Sequence, residues 1–190
     1  MGLATVIVRD DIRTAFVLPP KCGSMSIRRF MLSLGFVPLI HPAFHPYNHT
    51  KYQEAVKFFP KLSDYSIYGV FRDPLERFIS ALKFTCGEVG KYGYDYFVGN
   101  LDKIHPNAKV FFERQVEWLD QSRIKVLDFS NIVDEITAVV KNLDAKIAFP
   151  HLNPSPTIDL PISDAVRAFV KEQYSPDYQF ARSVLGKEYL

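Results

Sequence analysis

Short apolar runs alternate with amphipathic segments along most of this chain. The runs are rich in β-branched and aromatic residues, as buried strands are, and they lie at Thr5–Val8, Thr14–Leu18, Phe36–Ile40, Ser66–Phe71 and Ile124–Phe129. The amphipathic segments repeat apolar residues every three or four positions and lie at Ser24–Leu34, Thr50–Phe59, Asp73–Phe84, Asn107–Leu119, Ser130–Leu143 and Ser163–Tyr174. This alternation predicts an α/β fold with a central, mostly parallel sheet flanked by helices.

The length and charge of the chain narrow its class. With 190 residues, no internal repeat and no linker-like tract, we expect a single domain over residues 1–190. The composition is 47% hydrophobic and 23% charged, which excludes a disordered chain. A formal net charge of +2 argues against broad nucleic-acid binding but leaves room for a local basic pocket.

The cysteine content and the hydropathy of the chain indicate the cellular compartment in which we expect the protein. Two cysteines, Cys22 and Cys86, are too few for a disulfide scaffold. The first residues form no signal-peptide pattern, and no apolar run approaches the roughly 18 residues of a membrane span. These features predict a cytoplasmic protein without a membrane span. Nothing in the sequence indicates its oligomeric state.

The first junction between a predicted strand and a predicted helix favours an anion site. Thr14–Leu18 runs into Pro19-Pro20-Lys21-Cys22-Gly23-Ser24-Met25-Ser26. Gly23 permits a tight turn, and Ser24 or Ser26 is a candidate helix cap. A helix N-terminus beside the Lys21 ammonium suits a phosphate or sulfate group. An ordinary strand-to-helix turn with a capping serine is the competing interpretation, and the order of Lys and Gly differs from a Walker A loop.

The second junction carries an unusually complete helix start. Ser66–Phe71 runs into Arg72-Asp73-Pro74-Leu75-Glu76-Arg77, and Ser80 follows two turns along the helix. The pattern predicts Asp73 as the N-cap, Pro74 as the first helical residue and Glu76 as the partner in a capping box. Arg72 lies where an anion would bind at the strand end, with a surface ion pair as the alternative. For Arg77 the spacing predicts an intrahelical ion pair with Asp73.

Taken together, the two junctions resemble sulfotransferases that use 3′-phosphoadenosine 5′-phosphosulfate (PAPS). Lys21 to Ser26 looks like the family's 5′-phosphosulfate loop, and Arg72-Asp73-Pro74-x-x-Arg77-x-x-Ser80 is similar to its 3′-phosphate motif. The resemblance is closer to the carbohydrate branch, such as heparan and chondroitin sulfotransferases and their short microbial or viral relatives. It implies a P-loop-like, three-layer α/β fold, PAPS as donor, 3′,5′-adenosine bisphosphate (PAP) as product, no metal, and a carbohydrate or small-molecule acceptor.

The resemblance also assigns roles to individual residues. Lys21 would be catalytic, and His49, in the segment His49-Thr50-Lys51-Tyr52-Gln53-Glu54, would be the base, with Glu54, His41 and His45 as alternatives. Pro150-His151-Leu152-Asn153-Pro154-Ser155 looks like a further family segment, and Arg114-Gln115-Val116-Glu117-Trp118-Leu119 is similar to a family helix. The implied cofactor-binding residues are Lys21, Cys22, Gly23, Ser24, Met25, Ser26, Arg72, Ser80, Asn153 and Ser155.

Departures from the family pattern keep other interpretations open. Met25 replaces a smaller residue, Asp128-Phe129-Ser130 lacks a usual Glu, and Pro156 and Thr157 replace basic residues. A non-catalytic relative that holds PAP or a phosphorylated ligand is therefore an alternative, and a kinase-like phosphoryl transferase is another. Metal binding by His41, His45 and His49 is disfavoured, since prolines separate them. The aromatic cluster Tyr92, Tyr94, Tyr96 and Phe97 is predicted to serve the core or a lid, with stacking on a sugar or adenine as the alternative. Tyr174-Ser175-Pro176-Asp177-Tyr178 is predicted to be structural.

Overall fold

The computed structural model describes residues 5–42, 50–86, 89–119, 122–143, 148–150 and 160–189. Within these ranges the centre of the fold is a five-stranded sheet with the order β3-β1-β2-β4-β5. The strands are β1 Val6–Arg9, β2 Thr14–Val17, β3 Val37–Pro38, β4 Ser66–Phe71 and β5 Ile124–Asp128.

Pairing directions make this sheet mostly parallel. Strand β2 pairs in parallel with β4, and β4 in parallel with β5. Strand β1 is antiparallel to both of its neighbours, β2 and β3, so it alone of the described strands runs against the others. The C-terminal ends of β2 and β4 therefore lie at the same edge of the sheet, with Val17 opposite Gly69.

Seven α-helices lie in the described part of the chain. They are α1 Ser24–Ser33, α2 Tyr52–Phe58, α3 Pro74–Thr85, α4 Val89–Val98, α5 Ile132–Val139, α6 Asp164–Gln173 and α7 Ser175–Leu185. Shorter 3₁₀ helices lie at Pro60–Asp64, Leu101–Lys103, Pro106–Phe112, Gln115–Glu117 and Phe129–Asn131. None of the described helices is long and apolar enough to cross a membrane.

The chain divides into two compact units, of which unit 1 contains the sheet. It comprises Met1–Phe71 and Gln115–Asn153. One sheet face packs against helices α1 and α5, and this core includes Phe16, Ile27, Met31, Val70 and Ile136. Alternate strand residues point to the opposite face, where a side chain on Gly69 would collide with Leu119 and Ile124.

Unit 2 comprises Arg72–Arg114 and Pro154–Leu190 and is helical in its described part. Helices α3, α4 and α6 share one apolar core built from Leu75, Phe78, Leu82, Val89, Tyr94, Val166, Val170 and Tyr174. Burial of these side chains supplies the main stabilisation of the unit.

The structure confirms the predicted α/β class with a mostly parallel central sheet flanked by helices. The single domain stays a prediction. The helix predicted over Asn107–Leu119 is wrong: the segment forms two 3₁₀ helices separated by an extended Glu113 (ψ 152°). The chain passes from unit 2 to unit 1 between Arg114 and Gln115, within this segment. Helix α4 was not predicted, because Gly90 and Gly93 weaken its helical pattern.

Candidate anion-binding site

A tight turn joins β2 to α1. The N–H of Cys22 donates to the carbonyl oxygen of Pro19 at 3.3 Å, and Lys21 has a φ of 68°. A positive φ brings the lysine Cβ against its own backbone, at a cost of about 1–2 kcal/mol. Such a conformation persists only when surrounding contacts hold it, and it is often found at binding sites.

Gly23 is required at its position for two separate reasons. It is the N-cap of α1, with φ 69° and ψ 19°, which is the left-handed region that favours glycine. A Cβ on Gly23 would also lie 2.7 Å from Cε2 of Phe129, the residue that follows β5. The structure thus gives Gly23 the tight-turn role predicted from the sequence, and it adds Phe129 as the side chain packed against the glycine.

The start of α1 differs from the expected serine cap. Ser24 is the first helical residue, and the N-cap is Gly23, which has no side-chain oxygen to accept from the first-turn N–H groups. The first bond of the helix joins the Ile27 N–H to the Gly23 carbonyl at 3.0 Å. Among the described residues, the first turn carries no acidic side chain. The positive end of the helix dipole therefore suits an anion.

The thiol of Cys22 faces into the protein. Its Sγ donates to Oε1 of Gln115 at 3.1 Å, and both residues are fully buried. Gln115 begins the 3₁₀ helix Gln115–Glu117 in unit 1, so the contact ties this segment to the loop. Sequence reasoning marked Cys22 as a cofactor contact and missed this link, for which the Arg114-Gln115 family likeness was the available clue.

The helix start at the second junction has the predicted N-cap and proline, but the predicted capping box is incomplete, because the Glu76 carboxylate pairs with Arg72. Asp73 is the N-cap, and its carboxylate accepts from the Glu76 N–H at 2.7 Å, while Pro74 opens the helix. The carboxylate of Glu76 accepts from Nε of Arg72 at 3.3 Å. Burial raises the pKa of the Asp73 carboxyl above its usual range, partly offset by the hydrogen bond from Glu76 N–H.

Arg77 occupies an environment that the sequence did not suggest. It is fully buried, as is Asp177 of α7. The charges of Arg77 and Asp177 both influence the pKa of the Tyr174 phenol. The Tyr174 hydroxyl donates a hydrogen bond to the Phe112 carbonyl at 2.7 Å. Burial raises the pKa of Tyr174, Arg77 lowers it and Asp177 raises it. The second arginine of the Arg72–Ser80 motif therefore belongs to a buried polar cluster of unit 2, together with the segment predicted to be structural.

Arg72 and Ser80 differ in how much of each is accessible. The Arg72 side chain is 20% exposed, whereas Ser80 is 4% exposed on α3. Arg72 directly follows Phe71, the last residue of β4, and β4 ends at the same sheet edge as β2. Phosphate binding by Arg72 and Ser80 stays a prediction.

Several predicted site residues lie outside the described residues. They are the candidate bases His45 and His49 and the predicted cofactor contacts Asn153 and Ser155. Next to His49, Thr50 is held to Thr5 by two hydrogen bonds of 2.8 Å. The exposed Glu54 accepts from the Lys51 N–H at 3.3 Å at the start of α2, and His41 stacks on Phe58 with ring centroids 4.3 Å apart. Those two alternatives thus have structural contacts in unit 1.

The aromatic cluster divides into a buried and an exposed part. Tyr94 is 2% exposed in the unit 2 core, in agreement with the expected core role. Tyr92 and Tyr96 are 42% and 49% exposed and stack on each other, with ring centroids 4.9 Å apart. Across the described ranges no group of three potential metal ligands converges.

Comparison with known proteins adds one structural likeness. No protein-family model matches the chain, and no curated protein matches it significantly. The crystal structure of a sulfotransferase from Alicyclobacillus acidocaldarius is similar over 96% of this chain and 98% of that one, with 12% sequence identity and a TM-score of 0.49. Likeness at this level carries no argument about the reaction. The sulfotransferase family and its carbohydrate branch therefore stay predictions from the two motifs.

Proposed function

We propose that this protein is a sulfotransferase that moves a sulfuryl group from PAPS to a hydroxyl or amine of a carbohydrate or small acceptor. The observation that supports this proposal most is the start of α1. Lys21 is held at positive φ beside a glycine N-cap, and the first turn has no acidic side chain. Such a helix start offers backbone donors and an ammonium to a phosphosulfate.

Sulfuryl transfer requires the protein to stabilise charge on the leaving phosphate oxygen and to remove a proton from the acceptor. The bond between sulfur and the 5′-phosphate oxygen breaks as the acceptor oxygen or nitrogen bonds to sulfur, so negative charge grows on the phosphate oxygen. Lys21 and the N–H groups of Gly23 to Ser26 stabilise that charge. The acceptor loses a proton, which His49 takes in the proposed mechanism, because a histidine accepts protons near neutral pH.

Recognition of the 3′-phosphate is assigned to Arg72 and Ser80. Arg72 forms an ion pair with Glu76 at 3.3 Å, and both side chains are at least partly exposed. Such pairs contribute about 1 kcal/mol or less, so exchanging this one contact for a phosphate costs little. A 3′-phosphate contact would let the protein distinguish PAPS from ATP-like nucleotides.

Transfer of a labelled sulfuryl group from PAPS to a panel of hydroxylated and amino acceptors tests the proposal. We expect Lys21→Ala to lower turnover by roughly 10²–10³, as loss of one charge-stabilising donor does elsewhere. The matched control is Lys57→Ala, in the last turn of α2, which should keep wild-type turnover. We expect His49→Ala to abolish turnover and to retain PAP binding.

The outcomes separate the alternatives. Full activity of Lys21→Ala would contradict the role of the loop. PAP binding without transfer to any acceptor would favour the non-catalytic relative, which is motivated by the Glu missing from Asp128-Phe129-Ser130 and by Pro156 and Thr157 in place of basic residues. Magnesium-dependent phosphoryl transfer from ATP would favour the kinase-like alternative.

A further inference from the structure

Gln115 is a buried polar side chain beside the candidate anion site. It is fully buried, and its Oε1 accepts the thiol hydrogen of Cys22 at 3.1 Å. Glutamine is seldom fully buried, because removing its amide from water is unfavourable unless the amide is hydrogen-bonded. An apolar residue would fill the same space without that requirement, so a purely packing role explains the glutamine poorly.

The contact lies at the most constrained point of the loop. Cys22 sits between Lys21 and Gly23, which have φ values of 68° and 69°. Its N–H is bonded to Pro19, and its Sγ is also 3.8 Å from the Pro20 carbonyl oxygen. The Cys22 side chain is thus one point, besides the contact of Phe129 with Gly23, at which the rest of unit 1 holds the turn that carries Lys21.

We propose that Gln115 is a positioning residue for the phosphosulfate loop. By accepting the Cys22 thiol, it holds the loop in the conformation with two positive φ values and so fixes the Lys21 backbone next to the start of α1. Without this hydrogen bond, Lys21 relaxes towards negative φ and the donors of the loop no longer converge. This inference rests on the proposed function, because it concerns how the donor is held.

A double-mutant cycle between Cys22 and Gln115 tests the inference, with calorimetric titration of PAP as the measurement. Cys22→Ala and Gln115→Leu should each weaken PAP binding by roughly tenfold, because each removes the same buried hydrogen bond. The double variant should bind about as weakly as either single variant. Cys22→Ser retains a hydroxyl donor and should stay within about threefold of wild type.

A matched control separates positioning from general destabilisation. Leu62→Val alters a fully buried residue of unit 1 that belongs to the 3₁₀ helix Pro60–Asp64. It should lower the melting temperature without weakening PAP binding. The melting temperatures of all variants are measured on the same samples.

Two results overturn the inference alone. The first is wild-type PAP affinity in Gln115→Leu together with a lowered melting temperature, which is the behaviour of a merely structural residue. The second is a double variant whose loss of affinity is the product of the two single losses, which would show that the residues act independently. Absence of PAP binding by the wild-type protein would instead overturn the proposed function, and this inference with it.

Discussion

Strands β2 and β4 each run directly into a helix, but the two helices begin in different ways. At α3, the Asp73 carboxylate accepts a first-turn N–H at 2.7 Å and Pro74 removes another donor. At α1, the N-cap is a glycine at φ 69°, without a side chain to accept these bonds. The α3 start thus has a side-chain cap, whereas the α1 start has none.

The difference extends to the residues around each junction. The loop before α1 is held by contacts from distant parts of unit 1, namely Gln115 on Cys22 and Phe129 against Gly23. At the start of α3, Arg72 pairs with Glu76 four residues away. The pKa of the distant Tyr178 in α7 is raised by burial and is also shifted by Asp73 and the Leu75 backbone. The two junctions therefore differ in the kind of contact: a buried hydrogen bond and an aromatic ring packed on a glycine at α1, and a partly exposed ion pair beside the side-chain cap at α3.

The largest predicted effect distinguishes the two arginines of the second junction. Arg77→Ala should lower the free energy of unfolding by on the order of 3 kcal/mol, because it removes a buried positive charge from a cluster that keeps the buried Asp177 carboxylate. Arg72→Ala, which breaks a partly exposed pair, should cost about 1 kcal/mol or less. Urea denaturation measures both. Equal losses of unfolding free energy in the two variants would show that the buried Arg77 contributes no more to stability than the partly exposed Arg72.

Gly23→Ala should cost about 2 kcal/mol, from the positive φ and from the collision with Phe129. The control is Gly186→Ala at the end of α7, where φ is 64° and ψ is 21° and no atom lies within 4 Å of the added Cβ. Gly186→Ala therefore introduces the strain of a positive φ without a steric collision. Urea denaturation should show the larger loss for Gly23→Ala, and Phe129→Leu should restore part of it. A loss no greater than that of Gly186→Ala would show that the collision with Phe129 does not destabilise the protein.

Cap removal should separate the two helix starts by a smaller amount. Asp73→Ala should lower the free energy of unfolding by about 1 kcal/mol, as loss of an N-cap does. Ser24→Ala should change it by less than about 0.5 kcal/mol, since Ser24 is the first helical residue and not the cap. Chemical denaturation checks both. A cost for Ser24→Ala as large as that for Asp73→Ala would mean that serine caps α1 after all.

The smallest effect is a pH dependence at Asp73. Burial raises the pKa of this carboxyl in the folded protein above its usual 3.8, so the folded state takes up the proton at higher pH than the unfolded state. The contribution of Asp73 to stability should therefore increase as pH falls through the raised pKa towards 3.8. Asp73→Asn lacks this titration.

The stability of wild type relative to Asp73→Asn should accordingly rise as the pH is lowered from neutral towards 3.8. Urea midpoints of the two proteins across this range give the measurement. A relative stability that falls towards acid would show that the pKa of Asp73 is lowered in the folded state, with the capping bond outweighing burial.

Local sequence patterns were sufficient to predict the start of α3 and the turn before α1. Asp73 and Pro74 are short-range helix signals and were read correctly, and Gly23 marked the turn before α1. The cap of α1 was misassigned to serine, because a serine in the first turn and a serine at the N-cap look alike in sequence. Nothing local showed that Lys21 adopts a positive φ, since lysine has no preference for it.

Long-range contacts account for most of what the sequence missed. The Cys22 contact to Gln115 spans 93 positions, and the buried Arg77 acts on Tyr174, which lies far along the chain. Periodicity within a segment carries no information about such partners. Helix α4 was missed because Gly90 and Gly93 weaken its helical pattern, and Gly93, with φ 76° and ψ 171°, forms a kink inside it.

Calorimetric titration of the wild-type protein with PAP, 5′-AMP and ATP tests the central claim most directly. We expect micromolar binding of PAP and at least about tenfold weaker binding of 5′-AMP, since a charged contact to the 3′-phosphate contributes roughly 1.5 kcal/mol or more. Lys21→Ala and Arg72→Ala should each weaken PAP binding. Equal affinity for PAP and 5′-AMP, or no binding of any of the three, would contradict the assignment of the two junctions to a sulfotransferase donor site.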